Sequence, residues 1–389
     1  MHVNDLLKIA VESNASDLHL KVGSYPMLRV RGDLVPALSN KRLDHEDIVA
    51  IAAAVLPTTL REKFKEQHEV DLAYSVSGLG RFRCNVFQQR GTIGMSFRVI
   101  PMDSATIGDL GLPAVIRSIA AEERGLILVT GTTGSGKSTT LAAMIEEINN
   151  TRTAHIITIE DPIEHLHRDN KSIVNQREVG ADTNSFTQAL RSALRQDPDV
   201  ILLGEMRDFE TIETALLAAE TGHLVLSTLH TLDATETINR IVAVFPPHYQ
   251  KQVRTQLASV LRAVVSMRLL PRLDGKGRVP AVEVLITTPF IRDCIMDKDK
   301  THLIPGAIAQ GTSQYGMQSF DQSIFSLFEQ KLVSYEEAMR WASNVDEFKL
   351  KVQGITSSDQ AREDMTKSAR KPAAAAAAPA AAQITRFGS

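Results

Sequence analysis

The sequence has few of the features that place a chain in a specialised class. Only two of its 389 residues are cysteines, Cys84 and Cys294, and they lie far apart, so neither a disulfide framework nor a cysteine-rich zinc site is expected. No apolar run approaches the ~20 residues of a transmembrane helix, and the N-terminus lacks the apolar core of a signal peptide. We therefore expect a cytoplasmic protein without direct membrane insertion, with both cysteines buried as small apolar side chains.

Aromatic residues and positive charge are also scarce. Aromatic side chains make up 5% of the chain, and the formal net charge is -3. Proteins that bind single-stranded nucleic acid need a basic channel and aromatic rings for base stacking, so we expect no nucleic-acid partner. The remaining composition, 43% hydrophobic and 23% charged, is typical of a globular protein, and the length indicates two or three domains.

The first hundred residues predict a small α+β domain, residues 1–100. Helical periodicity predicts helices at 3–13, 43–56 and 58–67, the last capped by Thr58. Alternating or turn-bounded apolar runs predict strands at 17–21, 27–31, 70–76, 81–89 and 93–100, the last three as an antiparallel meander. Turn-rich residues 101–112 read as a linker.

Residues 113–356 alternate helical and strand-like segments, which predicts an α/β domain with a parallel sheet. Nearly all-apolar runs, as in strands buried on both faces, occur at 126–129, 155–159, 200–203 and 224–229. Helices are predicted at 137–148, 186–195, 211–221, 249–269, 317–328 and 335–342. Residues 357–389 contain alanine runs around Pro379 and predict a disordered Ala/Pro-rich tail.

A glycine-rich loop lies between the first predicted strand of this domain and the helix after it. Its sequence, GTTGSGKS from Gly131 to Ser138, has the spacing of a P-loop, whose backbone amides bind phosphate at a helix N-terminus. Lys137 would bind the terminal phosphates, and Ser138 would offer its hydroxyl to Mg²⁺. The pattern predicts an ATP site made of Gly131, Thr132, Thr133, Gly134, Ser135, Gly136, Lys137, Ser138 and Thr139.

Charged side chains follow the other predicted parallel strands, where ligands bind beyond the carboxyl ends. Glu160, Glu205 and His230 each come directly after a strand. We predict that Glu205 orients the attacking water or holds Mg²⁺ through water, and that Glu160 is a second acid. His230 would sense the γ-phosphate, whereas His223, at the opposite strand end, is expected to be structural.

Phosphoryl transfer also needs positive charge at the γ-phosphate. The loop itself supplies only Lys137. We therefore expect arginines from another domain or another subunit to complete the site.

Several segments, in order, resemble those of the secretion-ATPase superfamily, and specifically the type IV pilus retraction ATPases of the twitching-motility type. They are the loop GTTGSGKSTT (131–140), ITIEDPIEH (157–165), DVILLGEMRD (199–208), TGHLVLSTLHT (221–231), ASDLHL (15–20), GRFRCNVFQQRG (80–91) and GMQSFDQS (316–323). The resemblance covers about residues 1–352.

This resemblance implies a RecA-like P-loop domain with a smaller N-terminal PAS-like domain, assembled as a homohexamer with ATP between the two domains. Glu205 would be the catalytic glutamate, supported by Glu160 and His230, and Arg83 and Arg98 would be the N-terminal arginines directed toward the phosphates. The implied partners are an inner-membrane pilus platform protein and a paralogous pilus ATPase. The protein would then lie at the inner membrane through the pilus machinery.

Two alternatives remain open at this stage. Retraction ATPases carry an AIRNLIRE segment, but residues 290–297 read FIRDCIMD, so an accessory or regulatory paralogue is a second interpretation. A RecA-like DNA motor would share the P-loop, and the scarcity of aromatic and basic residues counts against it.

Overall fold

The computed structural model describes residues 2–37, 41–101 and 105–354. The predicted tail, residues 357–389, lies outside these ranges. Within them, no helix combines the length and the apolar character needed to cross a bilayer. The chain forms two sheets, which define an N-terminal unit (described residues 2–101) and a C-terminal unit (105–354).

The N-terminal unit packs three helices and a six-stranded sheet around its own apolar core. Its elements are α1 (Val3–Glu12), β1 (Asp17–Lys21), β2 (Met27–Val30), β3 (Asp33–Pro36), α2 (His45–Val55), α3 (Thr58–Gln67), β4 (Glu69–Val76), β5 (Gly80–Gln89) and β6 (Thr92–Ile100). The strand order is β3-β2-β1-β6-β5-β4, and every pair is antiparallel.

The predicted helices and strands of this unit are confirmed, with two corrections. Thr58 does not cap α3, because it is the first helical residue and Pro57 occupies the cap position without a side-chain hydrogen bond. The edge strand β3 was not predicted, since its four residues are exposed and give no apolar run.

The C-terminal unit has a seven-stranded sheet with helices on both faces. Its first elements are α4 (Val115–Ala120), β7 (Gly125–Thr130), α5 (Lys137–Thr151), β8 (His155–Glu160), β9 (Ile173–Glu178), α6 (Phe186–Ala193), β10 (Val200–Leu203), α7 (Phe209–Glu220), β11 (Leu224–Leu229) and α8 (Ala234–Ala243). The later elements are α9 (Gln250–Val260), β12 (Leu261–Pro271), β13 (Arg278–Ile286), α10 (Pro289–Met296), a 3-10 helix (Lys298–Leu303), α11 (Ile304–Gln310), α12 (Thr312–Tyr315), α13 (Phe320–Glu329), α14 (Tyr335–Trp341) and α15 (Val345–Val352).

The sheet order is β13-β12-β7-β11-β10-β8-β9. All neighbours run parallel except β12 and β13. The strands β7, β10 and β11 are buried along their whole length, because alternate residues enter separate cores on the two faces of the sheet. The four predicted parallel strands are confirmed, and their carboxyl ends meet at one edge.

One predicted helix is wrong. Residues 249–269 form α9 only as far as Val260, and the chain then continues as the strand β12. Most of β12 is buried, so its mainly apolar sequence lacks the regular alternation of a half-buried strand. A sequence of this kind is compatible with either a buried helix or a buried strand.

The segment predicted as a linker, residues 101–112, is partly built into the core of the C-terminal unit. Ile107 and Leu112 are buried and pack against the cluster that contains α4 and α5. This segment therefore packs on the same face of the C-terminal sheet as α5, the helix that follows the glycine-rich loop.

Candidate nucleotide site

The glycine-rich loop occupies the turn from β7 into α5. Gly136 has a φ of 99° and precedes a helix whose first turn has no side-chain cap. The amides at the start of α5 are thus presented to an outside acceptor, and the helix dipole favours an anion there. A Cβ on Gly131 would lie 2.5 Å from the carbonyl oxygen of Met267, so only glycine fits where the loop passes β12.

Lys137 is 8% exposed and points back over the loop. Its Nζ donates hydrogen bonds to the carbonyl oxygens of Gly131 (2.9 Å) and Thr132 (3.0 Å). Burial lowers the pKa of Lys137, while the charges of Glu164 and Glu205 raise it. The ammonium group is therefore held at the loop next to an acidic surface, where a phosphate would neutralise it.

Loop, strand ends and acids line one cleft of about 500 Å³. Its wall includes Thr133, Gly134, Gly136, Lys137, Ser138, Thr139, Glu160, Glu164, Glu205 and His230. The structure thus brings six of the nine predicted loop residues together with all three predicted strand-end residues. The other three, Gly131, Thr132 and Ser135, border a smaller cavity of about 220 Å³.

Glu205 lies just beyond β10, and its side chain is 17% exposed. Its carboxylate forms an ion pair with Arg207, with Nε 2.7 Å from Oε1, and His230 Nε2 lies 3.8 Å from its other oxygen. Burial and the charge of Lys137 lower the pKa of His230. The imidazole is accordingly neutral at pH 7, beside an acid that it can orient.

Glu160, at the end of β8, is partly buried. Its carboxylate accepts a hydrogen bond from Thr158 Oγ1 at 2.7 Å and one from Gln176 Nε2 at 3.4 Å. Burial raises the pKa of Glu160, and these hydrogen bonds only partly oppose the rise. The two acids at this edge therefore differ: Glu205 is paired with a cation, whereas Glu160 is desolvated.

His223 lies at the opposite end of β11 from His230. Its Nδ1 is 2.9 Å from the carbonyl oxygen of Ala218, which satisfies the ring at the end of α7. Its predicted structural role is confirmed. Both cysteines are buried as predicted, Cys84 in the N-terminal core and Cys294 in the core under α10.

Arg83 and Arg98 are not brought to the cleft. They are cross-strand partners on β5 and β6 and are both exposed on the outer face of the N-terminal sheet. Arg98 donates to Asp17 Oδ1 at 3.0 Å. In this conformation their charge stays outside the nucleotide cleft.

The cleft also contains residues that the sequence did not single out. Arg278, at the start of β13, borders both cavities and donates to the carbonyl oxygen of Gly134 at 3.3 Å. His165 and His167 line the wall beyond Glu164. Arg207, which pairs with Glu205 but is not among the residues that line this cleft, had a signal in the sequence, because it stands two residues after Glu205.

The oxygen donors are suited to Mg²⁺, which takes one or two protein ligands and completes its shell with water and phosphate. Ser138 at the helix N-terminus and Glu205 across the cleft are such donors. Across residues 2–37, 41–101 and 105–354, no group of three metal-ligating side chains could hold an ion alone. Ser138 and Glu205 therefore fit a Mg²⁺ ion that binds together with the nucleotide.

The C-terminal unit and its loop match a known family. The family of type II/IV secretion system proteins matches residues 96–376. The chain belongs to this family. This secretion ATPase is 47% identical over 348 residues to the type IV pilus retraction ATPase PilT of Pseudomonas aeruginosa, covering 90% of this chain and 100% of that one.

Two further relatives are informative. The type IV pilus ATPase PilU of Pseudomonas aeruginosa is 41% identical over 92% of this chain and 93% of its own length. A crystal structure of the pilus retraction motor PilT with bound ADP is 46% identical and superimposes with a TM-score of 0.81, covering 89% of this chain and 98% of that one. The chain is thus a nucleotide-binding ATPase with the α/β P-loop fold of these motors.

Proposed function

We propose that this secretion ATPase is a hexameric motor that uses ATP hydrolysis to power retraction of type IV pili. The observation that carries the proposal is similarity to a pilus retraction ATPase along that protein's entire length, combined with a cleft that places Lys137, Glu205 and His230 on one wall. A general nucleotide-binding role would account for the loop, but it would not require the acidic wall.

The proposed roles follow from the position of each side chain. Lys137 exchanges its two carbonyl partners for the terminal phosphates, and the loop amides from Gly131 to Thr139 bind the remaining phosphate oxygens. Ser138 and Glu205 hold Mg²⁺, which supplies charge neutralisation at the phosphate oxygens when bound. Glu205 orients the attacking water, neutral His230 orients Glu205, and Glu160 shapes the floor of the cleft. Positioning and electrostatics of this kind supply most of the rate enhancement in phosphoryl transfer.

Arg83 and Arg98 would complete the site. Both lie on a face of the N-terminal sheet that is exposed in this conformation, so the proposal requires the N-terminal unit to close over bound ATP. Closure of one unit against the other, passed around a homohexamer, would perform the mechanical work.

The proposed organisation has four parts. Residues 1–100 form a PAS-like domain, 101–112 a linker, 113–356 the RecA-like domain with its C-terminal helices, and 357–389 the Ala/Pro-rich C-terminal segment. We place the hexamer in the cytoplasm, at the inner membrane through a pilus platform protein, with no nucleic-acid partner.

An accessory ATPase that assists a principal retraction motor is a second candidate. Residues 290–297 depart from the retraction motif, and the similarity to the pilus ATPase PilU extends over most of both chains. Arg292 donates to the carbonyl oxygen of Ala258 at 3.1 Å and so fixes α10 to α9. Met296, which replaces the second arginine of the motif, is 41% exposed and leaves the helix surface without that charge.

Complementation in a piliated host that lacks its own retraction ATPase tests the proposal. Expression of the wild-type chain should restore twitching, and Glu205→Gln at equal abundance should not. Twitching that returns only when the host ATPase is also present would favour the accessory role. Active ATPase with no effect on pili in either background would contradict both candidates.

A further inference from the structure

A stretch of the cleft wall that contains two glutamates is hydrogen-bonded to the neighbouring strand β9. We call residues 160–167, which contain Glu160 and Glu164, the acid segment. Gln176 on β9 donates to the carbonyl oxygen of His165 and accepts from the amide of His167, both at 2.9 Å. Glu178, two residues further along β9, accepts from the amide of Ile163 at 3.2 Å. The acid segment therefore follows any displacement of the end of β9.

The same carboxylate oxygen that holds Ile163 also binds the N-terminal unit. Arg81 Nη2, on β5, donates to Glu178 Oε2 at 3.1 Å, and the two side chains are only 20% and 9% exposed. A charge-assisted bond between groups so little exposed to water is stronger than a surface ion pair. Arg81 and the acid segment are thus connected through one atom.

A second contact joins the N-terminal unit to the acid segment. The amide of Leu166 donates to the carbonyl oxygen of Pro101, directly after β6, at 3.2 Å. Within the described ranges, these are the two hydrogen-bonded contacts that cross between the units. Both of them end on the acid segment or on the carboxylate that holds it.

Glu178 is also directly connected to Glu160, which lines the nucleotide cleft. Glu178 and Glu160 are paired neighbours in the parallel ladder of β8 and β9, and the amide of Val179 donates to the carbonyl oxygen of Glu160 at 2.9 Å. Arg81 Nε is buried without an acceptor, so the guanidinium has a donor available for a different partner when the units move.

We propose that Arg81 and Glu178 are positioning residues that couple the placement of the N-terminal unit to the placement of Glu160 in the nucleotide cleft. Movement of the N-terminal unit pulls on Glu178, and Glu178 carries Ile163 and the end of β8 with it. The inference concerns ATP hydrolysis by this chain and does not depend on pilus retraction being the task.

Steady-state ATPase kinetics of full-length Arg81→Met, Glu178→Gln and the double variant test the coupling. Methionine keeps an unbranched apolar stem like that of arginine but has no charge, and glutamine keeps an acceptor for the amide of Ile163. Lys21→Met, at an exposed position on the same sheet, is the matched control. Each single variant should lower kcat about tenfold, below the ~100-fold loss that a misplacement of 1 Å can cause. KM for ATP should change little, because the loop is untouched.

Two outcomes separate coupling from simple stabilisation. The double variant should be no slower than either single variant, because both changes remove one connection. Amide hydrogen exchange across residues 160–167 should speed up in Arg81→Met and stay at the wild-type rate in Lys21→Met. Wild-type kcat in Arg81→Met, losses that multiply in the double variant, or unchanged exchange in the acid segment would each overturn the proposal.

Discussion

The carboxyl edge of the C-terminal sheet and the outer face of the N-terminal sheet both carry charged side chains, but they differ in how they reach the nucleotide cleft. At the first, parallel strands of matched register bring Glu160, Glu205 and His230 to one wall beside Lys137. At the second, Arg83 and Arg98 are exposed neighbours on antiparallel strands and are not among the residues that line the cleft. One region assembles its part of the site by folding alone, and under the proposed function the other would be brought to it by movement of the N-terminal unit.

The largest expected effect is on the region that is complete on folding. Lys137→Ala removes the cation that the loop carbonyls hold at 2.9 and 3.0 Å, and nothing else on the loop replaces its charge. Binding of a fluorescent ATP analogue and hydrolysis should both be lost. Lys171→Ala, at an exposed position, is the control and should leave both unchanged. Tight binding by Lys137→Ala would mean that the nucleotide does not use this loop.

Glu205→Gln should separate binding from chemistry at the same edge. The amide keeps the shape of the side chain but cannot act as a base or orient water with a negative charge, so kcat should fall by about 10²–10⁴-fold. ATP affinity, measured by equilibrium titration, should stay close to that of the wild type. Arg207→Met is the matched comparison. The side chain of Arg207 is 74% exposed. Because ion pairs with an exposed partner are weak, its loss should lower kcat by less than about tenfold.

Glu160 should make hydrolysis sensitive to acid pH. Burial raises the pKa of Glu160 above the ordinary 4.5, so its carboxylate takes up a proton at a higher pH than an exposed glutamate as the solution is acidified. If the ionised form supports hydrolysis, kcat should fall on the acid side, beginning above pH 4.5. Glu160→Gln should be slower at neutral pH and lack this fall. If kcat of Glu160→Gln had the same pH dependence as that of the wild type, Glu160 would have no role in hydrolysis.

The smallest expected effect is on thermal stability and concerns Glu283 on β13. Burial raises the pKa of Glu283 to about 7, so the folded chain binds more protons than the unfolded chain between pH 4.5 and 7. Stability from this group is fully present below about pH 4.5 and is lost as the pH rises through 7. Glu283→Gln, which keeps an acceptor for the amide of Ala234, should raise Tm by a few degrees more at pH 8 than at pH 5. An equal shift at both pH values would contradict this.

The same comparison explains what the sequence could and could not predict. The P-loop and the side chains Glu160, Glu205 and His230 were predictable, because apolar runs mark buried parallel strands and the residues at their carboxyl ends lie at one edge of the sheet. The strand β12 was predicted as helix, because burial along most of its length removes the period that distinguishes the two. The strand β9 was missed, since it is an edge strand with the polar sequence Asn-Gln-Arg-Glu over residues 175–178.

Tertiary contacts account for the rest. Arg278 borders the loop only because β13 folds back beside β12, and Arg81 reaches Glu178 across 97 residues of sequence. No local pattern in the chain encodes either contact. The sequence did identify Arg83 and Arg98 as candidates, but whether their charge reaches the cleft depends on a rearrangement of the two units.

The most direct test of a site built from two regions is ATP hydrolysis by an Arg83→Ala/Arg98→Ala double variant, with ADP affinity measured on the same protein. If the N-terminal sheet supplies its charge only when the units close, ADP should bind as it does to the wild type, and kcat should fall by about 10³-fold or more, as for loss of other arginine fingers. Wild-type kcat in the double variant would contradict the two-region site. It would mean that the carboxyl edge of the C-terminal sheet is sufficient by itself.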